Sequence, residues 1–168
     1  MLTEAIKLML FPAVMAFAAS SDLFTMTIAN RVSLILVGGF VLLALLMGMS
    51  PVEMLWHFGA GATVLVIAFV MFSCGWIGGG DAKLAAATAL WFGFAHLFDY
   101  LIYASILGGA LTVALIQFRL LPLPQRLAAW DWVDRLHQRG AGVPYGIALA
   151  AAALLVYPHT EWMTALGV

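Results

Sequence analysis

The sequence predicts an all-α protein that crosses a membrane about six times, and two observations carry that prediction. Of the 168 residues, 65% are hydrophobic and only 9% are charged, with a mean hydropathy of +1.07. A soluble domain carries about 25% charged residues, so nearly all of this chain must be solvated by lipid. The apolar residues also fall in long uncharged runs, and a bilayer core needs about 20 apolar residues per helix.

Six of these runs predict membrane-spanning helices. Their approximate bounds are 5–21, 32–49, 55–77, 82–98, 100–118 and 144–163, with the fourth connection around Asp99. No internal repeat and no linker divides the chain into parts. We therefore expect one transmembrane domain over residues 1–168.

The basic residues predict the orientation, because Lys and Arg are enriched in cytoplasmic loops. Lys7 is the exception; the other six basic residues fall in the first, third and fifth loops, and they are Arg31, Lys83, Arg119, Arg126, Arg135 and Arg139. These loops should therefore face the cytoplasm and both termini the outside. A net charge of −1 gives no electrostatic reason to expect nucleic acid as a partner.

The fifth loop, residues 119–143, has the pattern of a short amphipathic helix. Its apolar positions repeat at helical spacing, while the opposite face is polar; the apolar set is Ala129, Trp132, Val133 and Leu136. Such a helix lies on a membrane surface. Anchoring the loop and receiving a substrate are equally good explanations for it.

Asp22 and Asp81 are the residues best suited to chemistry. Each is predicted at the cytoplasmic end of a span, and ionisable groups at membrane depth are costly and usually functional. Taken singly, Asp81 could be a helix N-cap, and Asp22 could mark the point where the first helix leaves the membrane. Together they suggest more, because two neighbouring carboxylates cannot easily both ionise. The ionised one could activate water while the protonated one polarises a peptide carbonyl, so the pair predicts peptide hydrolysis.

The sequence contains no competing catalytic apparatus. The histidines His57, His96, His137 and His159 are dispersed, and Cys74 is the single cysteine, so we expect no metal site and no cofactor. The triplet Gly78-Gly79-Gly80 lies directly before Asp81. Glycine permits positive φ and close backbone approach, which would admit an unwound substrate; the alternative is that the triplet is only a flexible inter-helix turn.

These residues resemble a known family. The stretch Gly78-Gly79-Gly80-Asp81-Ala82-Lys83 is similar to the Gly-x-Gly-Asp-x-Lys motif of type IV prepilin peptidases, with Asp22 at the position of their first catalytic aspartate. The segment from Asp22 to Asn30-Arg31 resembles their Asp…Ile-Pro-Asn segment. Pro144-Tyr145-Gly146 is similar to the Pro-Tyr-Gly of the short members, and the short CpaA/TadV type of the tight-adherence (Flp) pilus system is the nearest in pattern.

The resemblance implies a GxGD-type aspartyl protease fold in a bacterial inner membrane, with an active site facing the cytoplasm. The expected activity is removal of leader peptides from Flp-type prepilins, in association with pilus assembly machinery. Asp22 and Asp81 would be the catalytic pair and Asn30 a positioning residue. Gly78–Gly80 and Pro144–Gly146 would shape the site.

The chain departs from the family pattern in two places. Ala29 stands where the family usually has proline, and the cytoplasmic insertion of the long, N-methylating members is missing. The second departure implies peptidase activity without methyltransferase activity. Lys83 could tune Asp81 or bind an acidic substrate group, or it could only anchor the topology.

Two other functions remain open on the sequence. A small proton-coupled transporter could use membrane aspartates, although such sites usually lie near the midplane of repeated halves. A non-catalytic scaffold of a pilus or secretion complex is the third reading.

Overall fold

The structure, a computed structural model, describes the backbone of residues 2–164 and the side chains of residues 8–163. That part of the chain is helical and contains no strand. In chain order the helices are α1 (Leu2–Thr25), α2 (Asn30–Leu46), α3 (Pro51–Ser73), α4 (Gly79–Leu120), α5 (Gln125–Ala128), α6 (Asp131–His137), α7 (Tyr145–Val156), a 3₁₀ turn (Tyr157–His159) and α8 (Glu161–Thr164).

Three segments are long and apolar enough to cross a membrane: Leu8–Thr25, Pro51–Ser73 and Gly79–Leu120. The apolar helices Asn30–Leu46 and Tyr145–His159 are shorter. Many large hydrophobic side chains on the long helices are exposed at the protein surface, which in water would be prohibitive. The chain is therefore a membrane protein, as its composition predicts.

Helix α4 is broken at Gly93 and not around Asp99, where the sequence suggested a connection. Asp99 is helical, whereas Gly93 has φ 57° and ψ −172°, a combination open almost only to glycine. The break divides α4 into an arm of residues 79–92 and an arm of residues 94–120. The charge of Asp99 suggested a connection between two helices at that residue. The break instead lies at Gly93, because its backbone conformation requires a residue without a side chain.

The backbone carbonyls freed at this break accept hydrogen bonds from side chains of other helices. His57 Nδ1 lies 2.8 Å from Leu90 O, and Trp162 Nε1 donates to Trp91 O at 2.7 Å. Since a carbonyl only accepts, Nδ1 is the protonated nitrogen of His57 in this arrangement. A buried carbonyl without a partner costs about 1–3 kcal/mol, so these two donors stabilise the break.

The core of the bundle surrounds the same break. Buried aromatic rings from α1, α2, α4 and the C-terminal segment pack together there; they are Phe11, Phe40, Trp91, Phe92, Tyr157 and Trp162. Trp91 also donates from Nε1 to Leu36 O at 2.9 Å. The aromatic cluster joins the N-terminal helices to the C-terminal ones at the end of the bundle that carries Gly93.

The linker between α1 and α2 is short and firmly held. The chain turns at Met26, which has φ 53°. Ser21 Oγ donates to Thr27 O at 2.9 Å, and the Thr25 and Thr27 hydroxyl groups lie 2.7 Å apart. Ala29 then precedes α2 with φ −67° and ψ 141°, so the linker has one defined course.

The loop at residues 119–143 contains the helix that its apolar periodicity predicts. Val133 and Leu136 are the buried residues of α6, while Ala129 lies outside it and is exposed. Arg119 ties the loop to the end of α4, donating to Leu136 O at 2.8 Å and to Gly142 O at 2.7 Å. The loop is thus folded against the bundle.

Replacing Gly93 should destabilise the protein. We expect Gly93→Ala to lower the free energy of unfolding by about 1–3 kcal/mol, because φ becomes strained and the new methyl group would lie 3.0 Å from His57. Gly109→Ala is the matched control in the same helix, because a methyl group there meets nothing within 4 Å. Thermal unfolding in detergent checks both, and equal loss in the two variants would contradict the assigned break.

Replacing Ala29 by proline should stabilise the protein. Its φ of −67° is the value that proline imposes, and its N–H donates in none of the hydrogen bonds within the described residues. Such substitutions stabilise by about 0.4–1 kcal/mol through the unfolded chain. Ala29→Gly, which has the opposite effect on the unfolded chain, is the control. A lower melting temperature for Ala29→Pro would show that the linker geometry is wrong.

Candidate active site

Asp22 lies in the last turn of α1, which continues past the predicted end to Thr25. Its side chain is only 5% exposed. The backbone N–H of Gly146, near the N-terminus of α7, donates to Asp22 Oδ2 at 2.7 Å. Since helix N-termini carry unsatisfied N–H groups that favour anionic partners, α7 provides a well-matched donor for this carboxylate.

Gly146 leaves no room for a side chain. A methyl group on it would lie 2.7 Å from Ile28 Cδ1 and 2.8 Å from Asp22 Oδ2, distances that real Cβ atoms essentially never show. The short hydrogen bond between α7 and Asp22 therefore requires glycine at this position.

Tyr145 fixes the N-terminus of α7 against α4. Its ring lies over Gly108, where a methyl group would come within 2.7 Å of Tyr145 Cε1. The Tyr145 hydroxyl is 3.0 Å from Thr112 Oγ1. Pro144, which is buried, directly precedes the helix. All three residues of the Pro144-Tyr145-Gly146 segment thus lie at the end of the bundle that holds Asp22.

Asp81 lies in the first turn of α4, three residues after the N-cap residue Gly78. The Asp81 carboxylate lies against this N-cap residue, since a methyl group on Gly78 would lie 2.8 Å from Asp81 Oδ2. Ile28 contacts both Gly80, which directly precedes Asp81, and Gly146, which binds Asp22. The structure thus brings the two aspartates, 59 positions apart in the sequence, to the same end of the bundle.

The glycine triplet acts through close contact and not through positive φ, contrary to the expectation from the sequence. Gly78 has φ −74°, and the glycines with positive φ in the described residues are Gly48, Gly75 and Gly93. A methyl group on Gly79 would lie 3.3 Å from Phe72, and one on Gly80 would lie 3.1 Å from Ile28 Cβ. The missing side chains let α4 begin close against α3 and the α1–α2 linker.

Lys83 contacts Asn30 and is directed away from Asp81. Its Nζ donates to Asn30 Oδ1 at 2.8 Å, and residues two positions apart in a helix lie on nearly opposite faces. Both side chains line an apolar groove of about 530 Å³ between α2, α3 and α4. The pair therefore joins the beginnings of α2 and α4.

Helix α6 covers the end of α1 that carries Asp22. Arg135 Nη1 donates to Phe24 O at 2.9 Å, and the Phe24 and Trp132 rings meet edge to face at 5.5 Å. Phe24 O is one of the carbonyls left without a partner at a helix C-terminus, where a cation is favourable. The loop at 119–143 is thus part of the site's surroundings.

Several of these contacts were not foreseen. Ile28 touches the glycines beside both aspartates, and the only signal for it was its place in the Asp22–Asn30 segment. The contacts of Thr112 and Arg135 could not be predicted from the sequence, because their partners, Tyr145 and Phe24, are remote in the sequence.

Among residues 8–163, whose side chains the structure describes, there is no group of three or more His, Cys, Asp or Glu side chains that could hold a metal ion. His57 is engaged at the Gly93 break, and His137 Nε2 lies 2.8 Å from Leu121 O. Both histidines therefore have structural partners.

A model of the type IV leader peptidase family matches residues 9–113 of this chain. The matched region includes Asp22, Asn30, Gly78–Gly80, Asp81 and Lys83, and it ends before Pro144. Comparison with curated proteins and with solved structures gave no match. Because the family match covers more than half of the chain, this membrane protein belongs to the type IV leader peptidase family.

Proposed function

We propose that the chain is an aspartic endopeptidase in which Asp22 and Asp81 form the catalytic pair. The observation that carries the proposal is that one side chain, Ile28, contacts both Gly146, whose N–H binds Asp22, and Gly80, which directly precedes Asp81. Membership of a leader peptidase family supports hydrolysis of a peptide bond as the reaction.

The pair would work by sharing one proton, as two close carboxylates do. The ionised aspartate removes a proton from water while the resulting hydroxide attacks the scissile carbonyl carbon. The protonated aspartate donates to the carbonyl oxygen. As the tetrahedral intermediate collapses, the C–N bond breaks and the proton taken from water passes from the first aspartate to the leaving nitrogen. The C=O bond re-forms as a hydroxyl proton of the intermediate returns to the second aspartate, which restores the starting state of the pair. Neither a metal nor a cofactor has a part in this scheme.

The substrate we propose is a Flp-type prepilin, cut at the cytoplasmic face of a bacterial inner membrane. The family supports a prepilin as the substrate. The CpaA/TadV subtype and association with pilus assembly machinery rest on the sequence resemblance, and the orientation rests on the Lys and Arg distribution. The missing insertion of the long members supports peptidase activity without N-methylation.

In this proposal residues 1–168 form one domain of the GxGD type with six spans. The two arms of α4 on either side of Gly93 are the fourth and fifth spans, α7 is the sixth, and the loop at 119–143 is cytoplasmic. Gly78–Gly80, Lys83, Asn30 and Pro144–Gly146 shape the site. These residues position the catalytic pair and take no part in the chemistry: Lys83 binds Asn30, and Gly146 binds Asp22.

The two competing functions, a proton-coupled transporter and a non-catalytic scaffold, predict different experimental results. A proton-coupled transporter would dissipate a pH gradient in reconstituted vesicles, and Asp81→Asn would abolish that flux. A scaffold would co-purify with pilus components without cleaving any pilin. Clustering of the candidate residues at one end of the bundle favours a peptidase, because a transport site usually lies near the midplane.

Neutralising either aspartate should abolish cleavage without unfolding the protein. With a co-expressed Flp-type prepilin, we expect Asp22→Asn or Asp81→Asn to slow leader removal by about 10²–10⁴-fold, the range for loss of an acid–base group. Asp99→Asn makes the same chemical change at an exposed position of α4 and should cleave normally. Gel shift scores processing, and the mass of the mature pilin should show an unmethylated N-terminus. Normal processing by both site variants would overturn the proposal.

The lone cysteine allows the orientation to be tested. Cys74 is exposed at the end of α3, four residues before Gly78, so it reports the membrane side of the candidate site. We expect a membrane-impermeant maleimide to label it in inverted vesicles and not in intact spheroplasts. Cys74→Ser is the control for specificity. Labelling in spheroplasts alone would place the site on the opposite face.

A further inference from the structure

Ile28 lies between the backbone segments that carry the two aspartates. Its Cδ1 is 2.7 Å from the point where a methyl group on Gly146 would lie, and its Cβ is 3.1 Å from the corresponding point on Gly80. Gly146 binds Asp22, and Gly80 directly precedes Asp81. One side chain therefore touches the glycine beside each carboxylate.

The linker that carries Ile28 is held in place independently. Hydrogen bonds among Ser21, Thr25 and Thr27 fix the turn that precedes Ile28, and Val32 N donates to Ala29 O at 2.9 Å after it. The residue is thus anchored on both sides by contacts that do not involve α4 or α7. A side chain anchored in this way can set the position of the helices that pack on it.

We propose that Ile28 is a positioning residue that sets the separation of Asp22 and Asp81 by filling the space between the starts of α4 and α7. It acts through Gly80 and Gly146 and is not itself a catalytic residue. The inference rests on the proposed aspartic peptidase function, and its second measurement below does not depend on activity.

The shape of isoleucine explains the choice of residue. A β-branched side chain is stiff at χ1, so its branches point in defined directions. The contact to Gly80 is made at Cβ and the contact to Gly146 at Cδ1. Valine, leucine and alanine all keep the Cβ contact to Gly80. Valine and alanine lose the Cδ1 contact to Gly146, whereas leucine keeps a similar volume but, without the β-branch, directs it differently.

The first test measures steady-state kinetics on a purified Flp-type prepilin. We expect Ile28→Ala to lower kcat about 10- to 100-fold, because a displacement of about 1 Å can cost 10²-fold, with KM changed less than about twofold. The kcat values of Ile28→Val and Ile28→Leu should lie between those of Ile28→Ala and the native protein. Ile106→Ala, at a 61% exposed position of α4, is the matched control and should be unaffected.

The second test follows hydrogen exchange of the Gly146 amide by NMR in detergent. That N–H is protected by its bond to Asp22. We expect Ile28→Ala to speed its exchange, while Ile106→Ala leaves it unchanged. If Ile28→Ala does not accumulate as folded protein, Ile28→Val and Ile28→Leu, which retain most of the volume, carry both measurements.

The outcomes separate the two proposals. Native kcat and native Gly146 exchange in the Ile28 variants, with Asp22→Asn and Asp81→Asn inactive, would overturn the role of Ile28 and leave the peptidase standing. Normal cleavage by both aspartate variants would overturn the peptidase proposal. Gly146 exchange would then still decide whether Ile28 positions α7 against Asp22.

Discussion

The hydrogen bond from the Gly146 N–H to Asp22 is the interaction on which the candidate site depends. It joins α7 to α1 across 124 positions of the sequence and is buried at both ends. A buried carboxylate needs such a donor, because leaving it unpaired costs more than the net value of an ordinary hydrogen bond. The bond also fixes the direction of Asp22 Oδ2.

Close backbone approach explains why glycine occurs where it does around this bond. Gly146 admits Asp22 and Ile28, Gly80 admits Ile28, and Gly108 admits the Tyr145 ring that seats α7. In each case a methyl group would enter occupied space, and a well-packed interior accommodates extra volume only at a cost of about 1–3 kcal/mol. The site is therefore built from contacts between helices, with the reactive side chains held by the packing.

The sequence predicted an all-α membrane protein and drew attention to both aspartates and the glycine triplet, because these signals are local. It placed a connection at Asp99 and the structure breaks α4 at Gly93, since a charge is visible in a sequence and a backbone angle is not. The contact of Ile28 with two distant glycines could not be foreseen, because it depends on how three helices pack.

The surroundings of Asp22 extend beyond the family match, which ends at residue 113. Arg135 caps the α1 carbonyl Phe24 O, and Arg119 binds two carbonyls of the loop that holds α6. Helix α1 ends at Thr25, so Phe24 O has no helical partner and requires a donor from elsewhere. That donor comes from the loop at 119–143, so the end of α1, three residues after Asp22, is held by a segment outside the family match.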